Sequence, residues 1–396
     1  MPNYQTNLLI IGAGPFGLAL AAQAAHLGIE HRVVGKPMDF WRRNMPPGMY
    51  LRSSWDWHLD PLDVHTIEKF LESRGQTTAG IEPLSLDFYL SYAEWFQTQK
   101  GISVSPWIVE RLDRSAADGI FVATTSEGPM IEARNVALAP GFRYFANVPE
   151  ELKARLVPGR YEHTCEFVDF SAVAGKRYLI VGGRQSAFEW AALLIEAGAQ
   201  TVYISHRHDS PSFAISDWTW VDPLVERMNE DANWFRRLSQ EEKDTLNQRL
   251  WAEGRLKLET WLEPRVRNDR VRVLPRTEVV GSVEENGELI VTLSDGHQIV
   301  CDEIVLATGY KVELGRIPFL ANGNVLADLE IRNGFPVLDE RFQTSLPGLF
   351  ITSMPATQDF GPFFGFTVSV RVSAKLICAA VKQRSGIWVS NPPASR

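Results

Sequence analysis

Long apolar runs in this chain alternate with short Gly-rich breaks. Residues 7–11, NLLII, form the first run and read as a buried strand. A break at Gly12 follows, and the Ala-rich stretch 15–27 then predicts a helix. The same order returns about 170 residues later. There a strand at 177–181 turns at Gly182-Gly183, a helix covers 185–197, and a second strand covers 201–205. RNVALAPGFRYFANVP and CDEIVLATGYKVEL each read as a short apolar strand ending in a Gly turn. Residues 291–300 alternate around Asp295-Gly296, the pattern of a hairpin. Residues 209–262 break the rhythm, being Trp-rich, charged and helical. Ser239 with Glu242 predicts a capping box before a helix running to about Trp251. This stretch reads as an insertion or lid within the second unit. The tail after Val389, SNPPASR, reads as a frayed end.

Three glycines in the first break fall as G-x-G-x-x-G: Gly12, Gly14 and Gly17. Gly12 allows a tight turn, Gly14 lets the backbone approach a pyrophosphate, and Gly17 lets helix and strand pack closely. The helix beginning at Pro15 and Phe16 would present unpaired amides to phosphate. The alternative is a Gly-rich core turn without a ligand. The flank MPNYQT carries no Lys or Arg, which argues against an export signal. The second unit ends in His206-Arg207. A cation where an acidic residue would grip a ribose hydroxyl suits a 2′-phosphate, favouring NADP(H) over NAD(H). The competing reading of Arg207 is a solvated surface charge.

Length and charge narrow the class. With 396 residues, the chain has room for two or three domains. Its net charge of −8 argues against nucleic acid or an anionic membrane as principal partner. Cys165, Cys301 and Cys378 form neither a C-x-x-C motif nor a metal-ligand spacing, so no metal is expected. A soluble, reduced, cytoplasmic protein is expected.

Together these elements resemble the class B flavin monooxygenases: flavin-containing monooxygenases, Baeyer–Villiger monooxygenases and amino-acid N-hydroxylases. Four motifs carry the resemblance: GAGPFG at 12–17, VPGRYEHTCEF around Gly159, His163 and Phe167, GGRQSAFE at 182–189, and ATGY at 307–310. PPGMYLRSSWDWHLDP and EPLSLDFYLSYAEWFQ are similar to the N-hydroxylases in particular. The implied fold is α/β, with two Rossmann-like dinucleotide-binding domains, the NADP domain inserted in the FAD domain. Residues 1–156 and 306–396 would form the FAD domain, and 157–305 the NADP domain with its helical insertion. Three positions depart from the family pattern. Gly35 stands where a Glu usually binds the adenosine ribose, leaving that role to Lys36 or a backbone group. Arg184 occupies the third position of the NADPH turn, and Val157 replaces the usual Phe of the fingerprint.

The resemblance implies FAD, NADPH, molecular oxygen and a small organic substrate, with a homodimer left open. Hydride passes to the flavin, and a C4a-hydroperoxide then oxygenates a soft nitrogen or sulfur, or a ketone. Gly12, Gly14, Pro15, Phe16, Gly17, Lys36, Trp41, Ser54, Trp55 and Gly141 are the expected flavin contacts, with Phe363, Phe364 and Phe366 of the C-terminal turn near the ring. The last helix would start near Gly365 and aim its dipole at the flavin. Gly182, Gly183, Arg184, Gln185, Ser186, His206 and Arg207 are the expected NADP contacts, and Thr308, Gly309 and Tyr310 close one domain on the other. Arg52 and Asp56 are the expected reactive-edge pair, either catalytic or a structural ion pair. His163 is expected to couple the domains rather than act as acid or base. Trp41, Trp55, Trp57, Trp218 and Trp220 are candidates to wall the cavity, with a core role as the alternative. An oxidoreductase without oxygen insertion and a non-catalytic flavoprotein remain as alternatives.

Overall fold

The computed structural model describes residues 4–390; the tail residues 391–396 lie outside the described part. At the centre of the first sheet is strand Tyr4–Ile11, flanked in parallel by His31–Val34 and Ile131–Leu138. Leu8, Leu9 and Ile10 are fully buried, as expected for a strand covered on both faces. Strand Ile131–Leu138 has a divided outer edge. Its beginning pairs antiparallel with Phe121–Thr125, and its end pairs in parallel with Leu349–Ile351. The chain thus leaves this sheet after Leu138 and returns roughly 200 residues later. Helices Pro15–His26 and Val370–Ser390 pack against each other.

Between departure and return lies a second parallel sheet, in the order Val271–Pro275, Thr201–His206, Arg177–Val181, Glu303–Leu306, Tyr161–His163. Its helix is Gln185–Glu196. The 291–300 hairpin forms as read, and Val279–Glu285 extends it to a three-stranded meander. The fold is therefore α/β with two Rossmann-like units, the second inserted in the first.

Two elements differ from expectation. The Ser239–Glu242 capping box is present, and the helix it starts spans Gln240–Arg255, one turn beyond Trp251. However, the insertion packs against both units: Leu258 and Leu262 join the core of the second, and a larger apolar face packs against the first. Val221, Val225, Met228, Trp234 and Phe235 share a core with Phe360, Phe363 and Phe364. Its apolar face matches that surface, although its place in sequence is inside the second unit. The last helix begins at Val370, not near Gly365. Gly361, with φ of +101°, and extended Phe366 interrupt the path, so residues 362–369 form short 3-10 turns.

Candidate functional site

The two Gly turns are built on one plan. Gly12 donates its amide to the Val34 carbonyl at 3.0 Å, and Gly182 donates to Ser205 at 2.9 Å. Both have positive φ, and a Cβ on either would meet a carbonyl at 2.4 Å: Ala139 in the first turn, Ala307 in the second. Gly141 and Gly309 follow two residues after those alanines, again with positive φ and open space around them. Gly17 lies so close to the Gly12 carbonyl that a Cβ would stand 1.8 Å from it. Gly14, the N-cap of helix Pro15–His26, has nothing within 4 Å of its Cβ position. That open ground lies beside the unpaired amides of the helix start, an arrangement that attracts anions. Pro15 at N1 has no amide to satisfy and starts the helix there, with buried Phe16 behind it.

At the corresponding N-cap of the second helix stands Arg184. It donates Nη1 to the Arg255 carbonyl at 2.6 Å, beside Gln185 and Ser186 in the first turn. Gly183 has no room for a side chain, because His206 lies 2.4 Å from its Cβ position. His206 is buried and donates Nδ1–H to the His208 carbonyl at 2.8 Å. Burial and the neighbouring His208 lower its pKa, so the ring is neutral near pH 7. Arg207 is exposed at the strand end, and Lys36 is exposed at the matching place in the first unit.

The two units meet at Gly309. Its carbonyl accepts the Asn147 amide and His163 Nε2–H, both at 2.9 Å. That bond fixes the tautomer, leaving His163 Nδ1 to accept from the Cys165 amide at 3.3 Å. Burial lowers the His163 pKa, and the ring stacks edge-on to Tyr310 at 5.3 Å. Thr308 donates its hydroxyl to the Asn147 carbonyl. His163 is thus a neutral tie between segments.

Arg52 is not oriented by Asp56. Its Nε donates to Glu259 at 2.7 Å and its other nitrogens reach Ser216, Glu253 and Gly254, so the fork is committed to the insertion. Glu259 is 207 positions away, and nothing local in the sequence signals the pair. Asp56 remains exposed. Ser54 and the Trp55 amide both donate to Glu82. Trp41 stacks on Tyr89 at 4.8 Å. Trp57, Phe363 and Phe364 are buried in the core and offer no face to a cavity, which corrects the expectation for them. Phe366, at 41% exposed, is the accessible ring of that turn, with half-buried Trp218 6.5 Å away. Trp220 packs edge-on to Phe363 at 5.5 Å. His58, against Arg371, has a pKa lowered to about 4 by burial and that cation; its role is structural.

Two features escaped sequence reading. Glu189 on helix Gln185–Glu196 is 1% exposed and accepts the Tyr50 amide at 2.8 Å, joining the second unit to the segment before Arg52. Burial pushes its pKa up to about 7. Thr352 and Ser353, where strand Leu349–Ile351 ends, keep buried hydroxyls without a partner. Among the described residues no His, Cys, Asp or Glu group could hold a metal ion, and no helix is long and apolar enough to cross a membrane.

Two nucleotide folds, one nested in the other and tied at Gly309, define a two-dinucleotide oxidoreductase scaffold. The chain belongs to the pyridine nucleotide-disulphide oxidoreductase family, whose models match residues 9–247 and 244–352. It is 26% identical over 330 residues to indole-3-pyruvate monooxygenase YUCCA1 of Oryza sativa subsp. japonica, covering 76% of each chain. FAD-dependent urate hydroxylase of Xanthomonas campestris pv. campestris is 32% identical over 113 residues, which span 28% of this chain and 24% of that protein. The ornithine N-hydroxylase of Kutzneria sp. 744 superposes with a TM-score of 0.78 at 16% identity, over 96% of this chain and 100% of that one.

Proposed function

We propose that this protein is an NADPH-dependent FAD monooxygenase acting on a small organic substrate. The observation that carries the reading is the pair of matched turns, one open at Gly14 and one filled by Arg184. Residues 1–156 with 306–396 would bind FAD, and 157–305 NADPH. The open space at Gly14 and the orphaned hydroxyls of Thr352 and Ser353 fit a bound flavin. The basic cluster at the second turn, with the unpartnered Gln185 Nε2, fits a phosphorylated nucleotide. A flavin bound there would supply hydride acceptance from NADPH and oxygen activation. The chain's own residues would hold and enclose it: Arg52 anchors the insertion to residues 52–56, and Trp218 with Phe366 would lend apolar cover against water. Asp56 remains an exposed carboxylate on the segment 52–58, and His163 ties its strand to the Gly309 carbonyl.

Oxygen insertion is favoured over disulfide chemistry because Cys165, Cys301 and Cys378 are free and buried. Burial pushes the Cys165 thiol up to about 11, far from the reactive thiolate such chemistry needs. Buried free thiols also suit a reducing compartment such as the cytoplasm. Relatives are named for ornithine and indole-3-pyruvate, so amines, amino acids, 2-oxo acids, thioethers and ketones form the test panel. Each compound is scored for NADPH oxidised per product formed. NADPH oxidation that yields only peroxide with every compound would reject the reading.

A further inference from the structure

The helix Gln240–Arg255 ends with carbonyls that have no partner inside the helix, as every helix does. Two arginines from different parts of the chain take them. Arg52 donates to the Gly254 carbonyl at 2.8 Å and the Glu253 carbonyl at 3.3 Å. Arg184 donates to the Arg255 carbonyl at 2.6 Å, and its guanidinium lies 4.9 Å from the Trp251 ring centre. Trp251 is 51% exposed. Gln185, next to Arg184, accepts the Glu259 amide at 3.1 Å, just past the same helix end. The insertion therefore reaches the second turn with its C-terminus, the helix end that carries partial negative charge.

The charges around that contact are unbalanced. Arg255 and Arg207 both act on Arg184 and, together with burial, lower its pKa. Among the described residues, no carboxylate forms an ion pair with Arg184, Arg207 or Arg255. Other arginines of the second unit and of the segment docked on it do have one, including Arg52 with Glu259, Arg265 with Glu196 and Arg276 with Asp209. Three like charges without a counter-charge favour an anion that can satisfy all of them. Arg184 has five N–H groups and uses one on Arg255, leaving four in a planar fork suited to phosphate.

We propose that the end of the insertion helix forms the outer wall of the phosphate site at the second turn, with Arg184 bridging a bound phosphate and the Arg255 carbonyl. This rests on the second turn being the NADPH site. Binding neutralises the arginine cluster and tightens the insertion onto the turn. The same helix end holds Arg52, so nucleotide occupancy is felt at residues 52–56.

The test uses the flavin-containing protein as purified. NADP⁺ is titrated calorimetrically, and amide hydrogen exchange over residues 250–258 is followed with and without saturating NADP⁺. In the wild type, NADP⁺ should slow exchange over this segment. Arg184→Gln should keep its flavin spectrum, bind NADP⁺ about tenfold more weakly and lose the slowing. Arg255→Gln, which leaves the turn itself intact, should weaken binding in the same direction. Unchanged affinity in Arg184→Gln, or exchange that is unaltered or faster on saturation of the wild type, overturns the proposal while leaving the NADPH site in place. No NADP⁺ binding by the wild type removes that site, and this wall with it.

Discussion

The first and second Gly turns share a backbone plan and differ in what fills it. Gly35 beside Ala13 in the first becomes His206 beside Gly183 in the second, so the side chain and the space for it exchange places. Gly17 lies almost on the Gly12 carbonyl, whereas its counterpart Ala187 carries a methyl group. The second helix therefore cannot approach its turn as closely as the first. Buried Ala19 in the first helix becomes buried Glu189 in the second. The difference teaches that the first unit closes tightly around open space at its helix start, while the second uses its space for polar contacts to the rest of the chain.

The harshest challenge to this comparison is Gly17→Ala. Its methyl has nowhere to go without moving the Gly12 carbonyl, so a loss of more than about 3 kcal/mol is expected in urea unfolding. Ala187→Gly should cost only about 1 kcal/mol, from helix propensity. Equal losses would abolish the distinction.

Glu189→Gln tests the buried contrast through pH. The folded-state pKa of Glu189 is raised from 4.5 to about 7, so folding favours the protonated form. Stability contributed by this group is present at low pH and is lost as pH rises from about 4.5 through 7. Relative to Glu189→Gln, the wild type should lose about 2.5 kcal/mol between pH 5 and pH 8. Parallel pH curves for the two proteins would show that Glu189 does not titrate in that window.

Gly14→Val should fold, because the Cβ meets open space, and should lose flavin affinity at least about a hundredfold, roughly 2.7 kcal/mol. Full flavin absorbance in the purified variant would move the pyrophosphate elsewhere. Arg207→Ala should weaken NADPH about tenfold to a hundredfold, consistent with loss of about 1.5–3 kcal/mol from a charged hydrogen bond, and leave NADH nearly unchanged. Equal losses for both would make Arg207 structural. The mildest expected change in rate comes from His163→Ala. Flavin reduction should stay within about tenfold, roughly 1.4 kcal/mol, while more NADPH is diverted to peroxide. An unaltered ratio of peroxide to NADPH in a folded variant would leave His163 as a tie without influence on coupling.

Both turns were legible in the sequence because their physics is local: a strand end, a residue that must lack a Cβ, and a helix start within six positions. The insertion's capping box was legible for the same reason. Its docking was not, since Arg52 meets Glu259 across 207 positions and Tyr50 meets Glu189 across 139. Proximity in sequence suggested Asp56 as the partner of Arg52, but three-dimensional packing chose Glu259. Phe363, Phe364 and Phe366 read together as flavin neighbours from one turn, and position in a turn does not distinguish a fully buried Phe363 from an exposed Phe366. Polar groups made buried by distant segments, such as Glu189 and Ser353, carry no local signature.

The nested path of the chain also has a consequence on the ribosome. Strand Ile131–Leu138 waits for Leu349–Ile351 before the end of its outer edge is paired. At roughly 5–20 residues per second, synthesis takes about 10–40 s to deliver that partner. During this interval the whole second unit emerges and has time to fold, while the first still shows a bare strand edge to every nascent chain nearby.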